Sequence, residues 1–390
     1  MNWLKKKTVW LRYLLSILMP SYSYIILFVT ARCNARCHTC FYWERIADAE
    51  NHKELTAAEY NRVARSMKGI LYLSIGGGEP FLRQDLASII QSFYRHSGVR
   101  LVNISTNCLL HNSVLTQTTA MLNENPELRV KISLSIDDVG ERHDRIRAYP
   151  GNWLKCLELH DKLVRLRKDQ PRLSLEVGST FCTYNEDTAM ELIDYVADSM
   201  EADDHTFGFI RGDAKDPQAL NANLEKYRKT MHYLNKRRRK SGIHQTGWLF
   251  GAIIKRMYDV IYETVKFDRM VIPCVAGDKF ITIDERGTLR PCEILWQKNG
   301  AAFDIVNLRE NNYDLSAARK SLKSRSVRNH IKSTRCHCSF ECANLCNIVH
   351  TPKEYPKLLW QNLPFRSEPD ALHPRHSKEQ LQEPVRQFIL

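Results

Sequence analysis

An α/β fold built on a partial (β/α)6 barrel of the TIM type is predicted by two observations. Between Tyr24 and Arg211 six short β-rich runs alternate with longer helix-periodic segments, the pattern of repeated βα units around a parallel sheet. The polar motifs of this region all fall where a run ends, the end at which such barrels keep their active sites. A further observation adds a small module behind the barrel: six of the twelve cysteines lie between Cys274 and Cys346.

The elements follow in order. Residues 1–23 form a basic N-terminal segment in which Lys5 to Lys7 precede the apolar run Val9 to Met19. It resembles a secretion signal, but Arg12 and Pro20 interrupt the run and no small-residue cleavage site follows. It also falls short of the uncharged length a membrane span needs. An amphipathic helix carrying Trp3, Trp10, Tyr13, Leu14, Ile17 and Leu18 is expected, lying on a membrane surface or packed on the protein itself. The barrel, residues 24–215, has strands at Tyr24–Thr30, Leu71–Ile75, Arg100–Ser105, Arg129–Ile136, Leu173–Phe181 and His205–Arg211. Helices are expected at Thr56–Lys68, Leu86–Arg95, Trp153–Lys168 and Asp187–Ser199. A helical connector, 216–270, holds Asn223–Lys240 and Trp248–Val265, and the cysteine-rich module spans 271–350. The tail 351–390, with six prolines from Pro352 to Pro384, is expected to be poorly ordered.

The composition is that of a globular protein, 43% hydrophobic and 26% charged over 390 residues, enough for a large core with a smaller domain beside it. A formal charge of +13 is compatible with nucleic acid, an anionic membrane or an acidic substrate. The basic run Lys236 to Lys240 has no interleaved aromatics, so it reads as a solvated helix end and nucleic acid is not expected. Twelve cysteines in so long a chain do not make a disulfide scaffold. Cys108, Cys156 and Cys182 stand alone and read as core thiols.

Cys33, Cys37 and Cys40 place three thiols on the loop after the first strand. Three thiolates so spaced can each hold one iron of a 4Fe-4S cubane, which leaves the fourth iron open. Zinc would need a fourth ligand, for which His38 is available, and Cys37 with Cys40 has the spacing of a thiol redox pair. Iron-sulfur is favoured over both.

The spacing Cys-x3-Cys-x2-Cys resembles the signature of the radical S-adenosylmethionine (SAM) superfamily, and further motifs support the likeness in the right order. Gly76-Gly77-Gly78-Glu79-Pro80, at the end of the second strand, resembles the family's motif for the SAM amino group. Glycines allow close backbone approach and Glu79 offers a carboxylate to an ammonium. Ser105-Thr106-Asn107 and Ser133-Leu134-Ser135-Ile136-Asp137 resemble the polar strand ends that contact the ribose and methionine portions, with Ser105, Asn107, Ser135 and Asp137 as the contacts. In His143-Asp144-Arg145-Ile146-Arg147, the resemblance implies that Arg147 reaches the SAM carboxylate. One departure is Thr39, where the family commonly has an aromatic; Phe41, Tyr42 and Trp43 follow and can cover the cluster instead.

Cys274, Gly287 and Cys292 resemble the opening of the auxiliary-cluster module called SPASM, with a β-hairpin turning at Asp284 to Gly287 between the two thiols. Cys336, Cys338, Cys342 and Cys346 depart from the full module. Six cysteines suggest one auxiliary 4Fe-4S cluster, as in the shortened twitch module. The preferred ligands are Cys274, Cys292, Cys338 and Cys342, with Cys336 and Cys346 as replacements, and a structural zinc site is the alternative.

The resemblance implies a chemistry. SAM binds the open iron, takes one electron from the reduced cluster, and yields a 5'-deoxyadenosyl radical that abstracts hydrogen from a substrate over the barrel mouth. An auxiliary cluster could then accept an electron, giving net oxidation. Flavodoxin or ferredoxin is the expected electron donor, and a cytoplasmic location follows, with peripheral contact at the inner membrane face held as a hypothesis. A small-molecule, sugar or lipid-linked substrate is favoured. The alternatives are a maturase of a ribosomal peptide or protein, an RNA-modifying enzyme, and, last, a zinc-binding protein without catalysis.

Overall fold

β1 (Tyr24–Thr30) is buried at every position because it has a parallel neighbour on each side, β2 (Tyr72–Gly77) and β7 (Phe280–Ile283). The structure, a computed structural model, describes residues 21–241, 248–295 and 300–360; the N-terminal segment to Pro20 and the tail beyond Trp360 lie outside them. After β1 come α1 (Trp43–Ala47), α2 (Ala57–Arg65), β2, α3 (Leu86–His96), β3 (Leu101–Thr106), α4 (His111–Glu124) and β4 (Arg129–Ser135). α5 (Glu141–Arg147), α6 (Asn152–Asp169), β5 (Leu173–Phe181), α7 (Ala189–Ser199) and β6 (Asp204–Phe209) complete the barrel. All six expected strands are present. α2 starts on a capping box, Thr56 with Glu59, which satisfies two otherwise orphaned donors.

β1 to β6 are parallel throughout, and the sheet runs in the order β6-β5-β4-β3-β2-β1-β7-β8-β9. It is an open, partial barrel, as predicted. α8 (Leu224–Ser241) and α9 (Trp248–Phe267) follow β6. β7 and β8 (Thr288–Arg290) form the expected antiparallel hairpin, and β9 (Val306–Asn307) pairs with β8. The hairpin is not detached, however. β7 continues the barrel sheet from the edge of β1, so the cysteine-rich module covers backbone donors and acceptors that would otherwise be exposed. α10 (Leu315–Lys320), α11 (Leu322–Ser333) and α12 (Glu341–Val349) follow. The chain expected to be poorly ordered from 351 begins with a 3-10 turn at Pro352–Glu354 and α13 (Tyr355–Trp360). There Glu354 pairs with Arg256 of α9 at 2.8 Å and docks the segment.

The ladder register sorts the strands into two faces. Leu73, Val102, Ile104, Val130, Ile132 and Val177 share one face and are fully buried or nearly so, in one core with Leu86, Ile89 and Phe93 of α3. On the other face Ser74 pairs with Asn103, Asn103 with Lys131, Ser133 with Glu176, and Glu176 with Asp204. There Lys131 pairs with Glu176, which also accepts from Thr206 Oγ1 at 2.9 Å. The barrel is thus apolar toward its helices and polar on its inner face, unlike a parallel sheet buried in hydrocarbon on both sides.

Candidate functional site

The loop after β1 carries Cys33, Cys37 and Cys40, and all three line one recess with Arg36, Trp43 and Lys215. Burial first, and then the neighbouring Cys37, push the Cys33 thiol up to about 11 and the Cys40 thiol to about 12. Such clustered thiols stay protonated unless a cationic metal centre takes the thiolates. Among the described residues, no three His, Cys, Asp or Glu side chains are placed to hold a single metal ion. A polynuclear cluster makes a different demand, because each thiol holds its own iron. The chain after β6 clasps this loop, with Lys215 N–H donating to Cys40 O at 3.0 Å and Asp216 N–H to His38 O at 2.9 Å.

The glycine motif ends β2 directly against this loop. Gly78 N–H donates to Thr30 O at 2.7 Å and Glu79 N–H to Arg32 O at 2.9 Å. A Cβ on Gly77 would collide with the Thr30 carbonyl oxygen, and one on Gly78 with that of Arg32. Gly77 also has φ +118°, a conformation that side chains oppose. The close approach for which these two glycines are needed is therefore to the cysteine loop, whereas Gly76 makes ordinary contact with Phe28.

Glu79 is 1% exposed. Its carboxylate accepts from Asn107 N–H at 2.7 Å, Thr106 Oγ1 at 3.0 Å and Phe81 N–H at 3.3 Å. Burial outweighs these donors and raises its pKa from 4.5 to about 7, so the carboxylate is short of a cation. Asn107 Nδ2 donates to Asn34 Oδ1 at 2.7 Å and stands 3.9 Å from Cys33 Sγ. Arg147, in the last turn of α5, places Nε 2.8 Å from Asp137 Oδ2 and Nη1 3.9 Å from Cys37 Sγ. Burial raises the Asp137 pKa even so, while its Oδ1 accepts Thr180 N–H at 2.7 Å. Ser105 and Ser135 are half-buried at their strand ends, opposite Ser133 and Gly178.

Glu79, Asn107, Asp137 and Arg147 are thus gathered beside the three thiols, a donor set that fits a cubane with an amino acid chelated on it. A relay that the sequence did not reveal joins the strand ends. His143 Nδ1 accepts Asp137 N–H at 3.1 Å, its Nε2 lies 2.9 Å from Asn152 Oδ1, and Asn152 Nδ2 donates to Asn107 O at 2.9 Å. Burial lowers the His143 pKa to about 3; the ring is neutral, and the network assigns its proton to Nε2.

Cys274, Cys292, Cys336 and Cys338 line a second recess, with Ile294 and Asn347. The sequence had favoured Cys342 as the fourth. Its thiol turns instead to Tyr24, Glu293 and Glu341, with burial and then Glu293 pushing it up to about 12. The difference arises because Cys338 precedes α12 while Cys342 lies within its first turn. Cys346 is buried with its Sγ 3.5 Å from His350 Nδ1. Cys108, Cys156 and Cys182 are all buried, as expected of core thiols.

Residues 27–196 match the family model of the radical SAM superfamily. That stretch, a little under half of the chain, is a radical SAM domain. A GTP 3',8-cyclase from Alkaliphilus oremlandii is 28% identical over 179 residues, 45% of this chain and 53% of the relative. One from Peptoclostridium acidaminophilum is 32% identical over 101 residues, 24% and 31% respectively. The chain therefore matches between about a third and a half of the length of these curated relatives. Among solved structures, Streptococcus suis SuiB bound to S-adenosylmethionine shares 16% identity with TM-score 0.57, covering 80% of this chain and 68% of SuiB. The AdoMet-bound enzyme anSMEcpe shares 14% with TM-score 0.56, covering 88% and 95%. These likenesses establish a shared fold and reach past the barrel into the C-terminal module. Among the described residues no helix is long and apolar enough to cross a membrane.

Proposed function

We propose that this chain is a radical SAM enzyme whose catalytic 4Fe-4S cluster is held by Cys33, Cys37 and Cys40. The observation that carries this reading is the convergence of three thiols, an under-compensated buried carboxylate (Glu79) and a buried guanidinium (Arg147) on one end of the sheet. When bound, cluster and SAM supply reductive cleavage of a sulfonium and the abstraction of a hydrogen atom. The protein's own residues bind and orient. Glu79 accepts the ammonium of SAM, which supplies the cation its site lacks. Arg147, held by Asp137, pairs with the SAM carboxylate, and Asn107, with Ser105 and Ser135, offers polar contacts to the ribose and methionine. Trp43 and the chain at Lys215 border the thiol recess and limit the access of water to it.

Cys274, Cys292, Cys336 and Cys338 would hold one auxiliary 4Fe-4S cluster, with all four ligands from the chain. The polar inner face of the barrel, Ser74, Asn103, Ser133 and Thr206 around the Lys131–Glu176 pair, supports a small, hydroxyl-rich substrate such as a sugar. A cytoplasmic enzyme reduced by flavodoxin or ferredoxin is the corresponding physiological setting. The test is release of 5'-deoxyadenosine from SAM by the anaerobically reconstituted, dithionite-reduced chain. Release that is abolished in Cys37→Ala supports the reading; no release by wild type with its iron in place overturns it.

A further inference from the structure

The turn between β7 and β8 contains more buried charge than a hairpin requires. Asp284 is fully buried and Glu285 is 1% exposed. Asp284 Oδ1 accepts Thr288 N–H at 2.8 Å and Arg286 N–H at 3.1 Å, which closes the turn on itself. Its Oδ2 holds Arg290 Nη1 at 2.5 Å. The same oxygen receives Arg45 Nη2 of α1 at 2.8 Å, and the Glu285 carboxylate accepts the hydroxyl of Tyr42. Tyr42 and Arg45 stand two and five residues after Cys40. Arg286 Nη2 reaches Asp48 Oδ2 at 2.8 Å, and Glu285 O accepts Leu55 N–H at 2.7 Å. The turn thus grips the stretch that leaves the cysteine loop at four points from residue 42 to residue 55.

The entrance of the loop is held from the same direction. Glu54 accepts Thr30 Oγ1 at 2.5 Å and Ala31 N–H at 3.1 Å. Arg309, just after β9, donates from Nη2 to Glu54 O at 3.1 Å and from Nε to Glu59 Oε1 at 2.7 Å. Placing carboxylates and guanidinium groups in a protein interior costs several kcal/mol per ion before pairing, and an apolar contact of the same shape is often as stable. What a network of directional charge pairs can provide over an apolar contact is a fixed relative geometry. Here the geometry fixed is that between the C-terminal module and the loop bearing Cys33, Cys37 and Cys40.

From this we infer that the β7–β8 turn is a brace for the cysteine loop, with Glu285 and Asp284 as positioning residues that act through Tyr42 and Arg45. The inference rests on reading that loop as a cluster site. It makes the C-terminal module necessary for the first cluster as well as for its own thiols. Neither carboxylate touches a candidate ligand.

Hydrogen exchange of the anaerobically reconstituted full chain tests it, in wild type, Tyr42→Phe, Glu285→Met and the double variant, with the electron paramagnetic resonance change on adding SAM recorded beside it. Both substitutions preserve shape. Each single variant is expected to speed exchange over residues 41–47 about tenfold, the worth of one lost hydrogen bond, and to weaken the SAM-dependent signal. The double variant is expected to go no further than the singles, because both remove one shared bond. Exchange over β4 and α6 should stay at the wild-type rate. Unchanged exchange over 41–47, additive effects, or equal loosening of the whole barrel would each overturn the brace. A wild-type chain with no iron on Cys33, Cys37 and Cys40 would defeat the reading of the site, and the exchange comparison would still decide the brace.

Discussion

Replacing Glu79 by Gln should change the pH dependence of stability in a defined direction. In the chain without SAM, burial raises this carboxyl from 4.5 to about 7. Between those values the folded state holds a proton that the unfolded state has released, so stability falls as pH rises through the window and levels off above it. The rise is about two and a half pH units, and at 1.36 kcal/mol per unit the buried charge costs about 3 kcal/mol at pH 8. Gln removes that cost. It also turns an amide toward a donor that Glu79 now satisfies, such as Asn107 N–H at 2.7 Å, and an unsatisfied buried donor costs about 1–3 kcal/mol at any pH. The variant should therefore be less stable than wild type by about 1–3 kcal/mol at pH 4.5 and equal or more stable at pH 8. Urea midpoints of both proteins across this range, in reducing buffer without SAM, measure the difference. Parallel profiles would refute the argument, since Glu79 would then titrate alike in the folded and unfolded chain.

Three further expectations follow from single contacts. Gly78→Ala puts a methyl group onto the Arg32 carbonyl, backbone against backbone, so it should unseat the cysteine loop; iron content and thermal midpoint should both fall, and an unchanged value for either counts against the close approach. Lys131→Met leaves Glu176 without its cation in the barrel and should cost about 3–5 kcal/mol in urea unfolding, most of which Glu176→Leu in the same chain should restore. Cys336→Ser should lose the auxiliary iron while Cys342→Ser keeps it, as iron analysis in a chain lacking the first three cysteines would show; the reverse order would return Cys342 to the ligand set.

The sequence revealed those parts of the fold in which local chemistry and tertiary role coincide. β1 was bounded correctly because its run of apolar, mostly β-branched and aromatic residues ends at Thr30, and β5 because Leu173, Leu175, Val177 and Phe181 fall on alternate positions. The three thiols, Glu79 and Arg147 were found through motif spacing, and the structure brings them together. What was missed depends on residues far apart in the chain. α4 has a polar sequence and buries Gln117 and Thr118 beside Val114 and Met121, so its apolar stripe is too weak to read. The pairing of β7 with β1 joins segments over 250 residues apart, and nothing in the run Phe280 to Ile283 names its partner. The relay through His143 and Asn152, and the grip of Glu285 on Tyr42, are likewise contacts of topology, invisible until the strands are ordered. That the second recess is lined by Cys336 and not Cys342 was hidden for a related reason, because spacing does not report which side of α12 faces it.

The central claim is that two thiol sites on this chain hold two separate clusters and that the first of them binds SAM. Anaerobic iron and sulfide analysis with electron paramagnetic resonance, on dithionite-reduced wild type and on the Cys33→Ala/Cys37→Ala/Cys40→Ala variant, tests it most directly. About eight irons per chain falling to about four in the variant, with SAM perturbing only the signal that is lost, is the predicted result. Bound zinc in place of iron, with spectra unmoved by SAM, would contradict it.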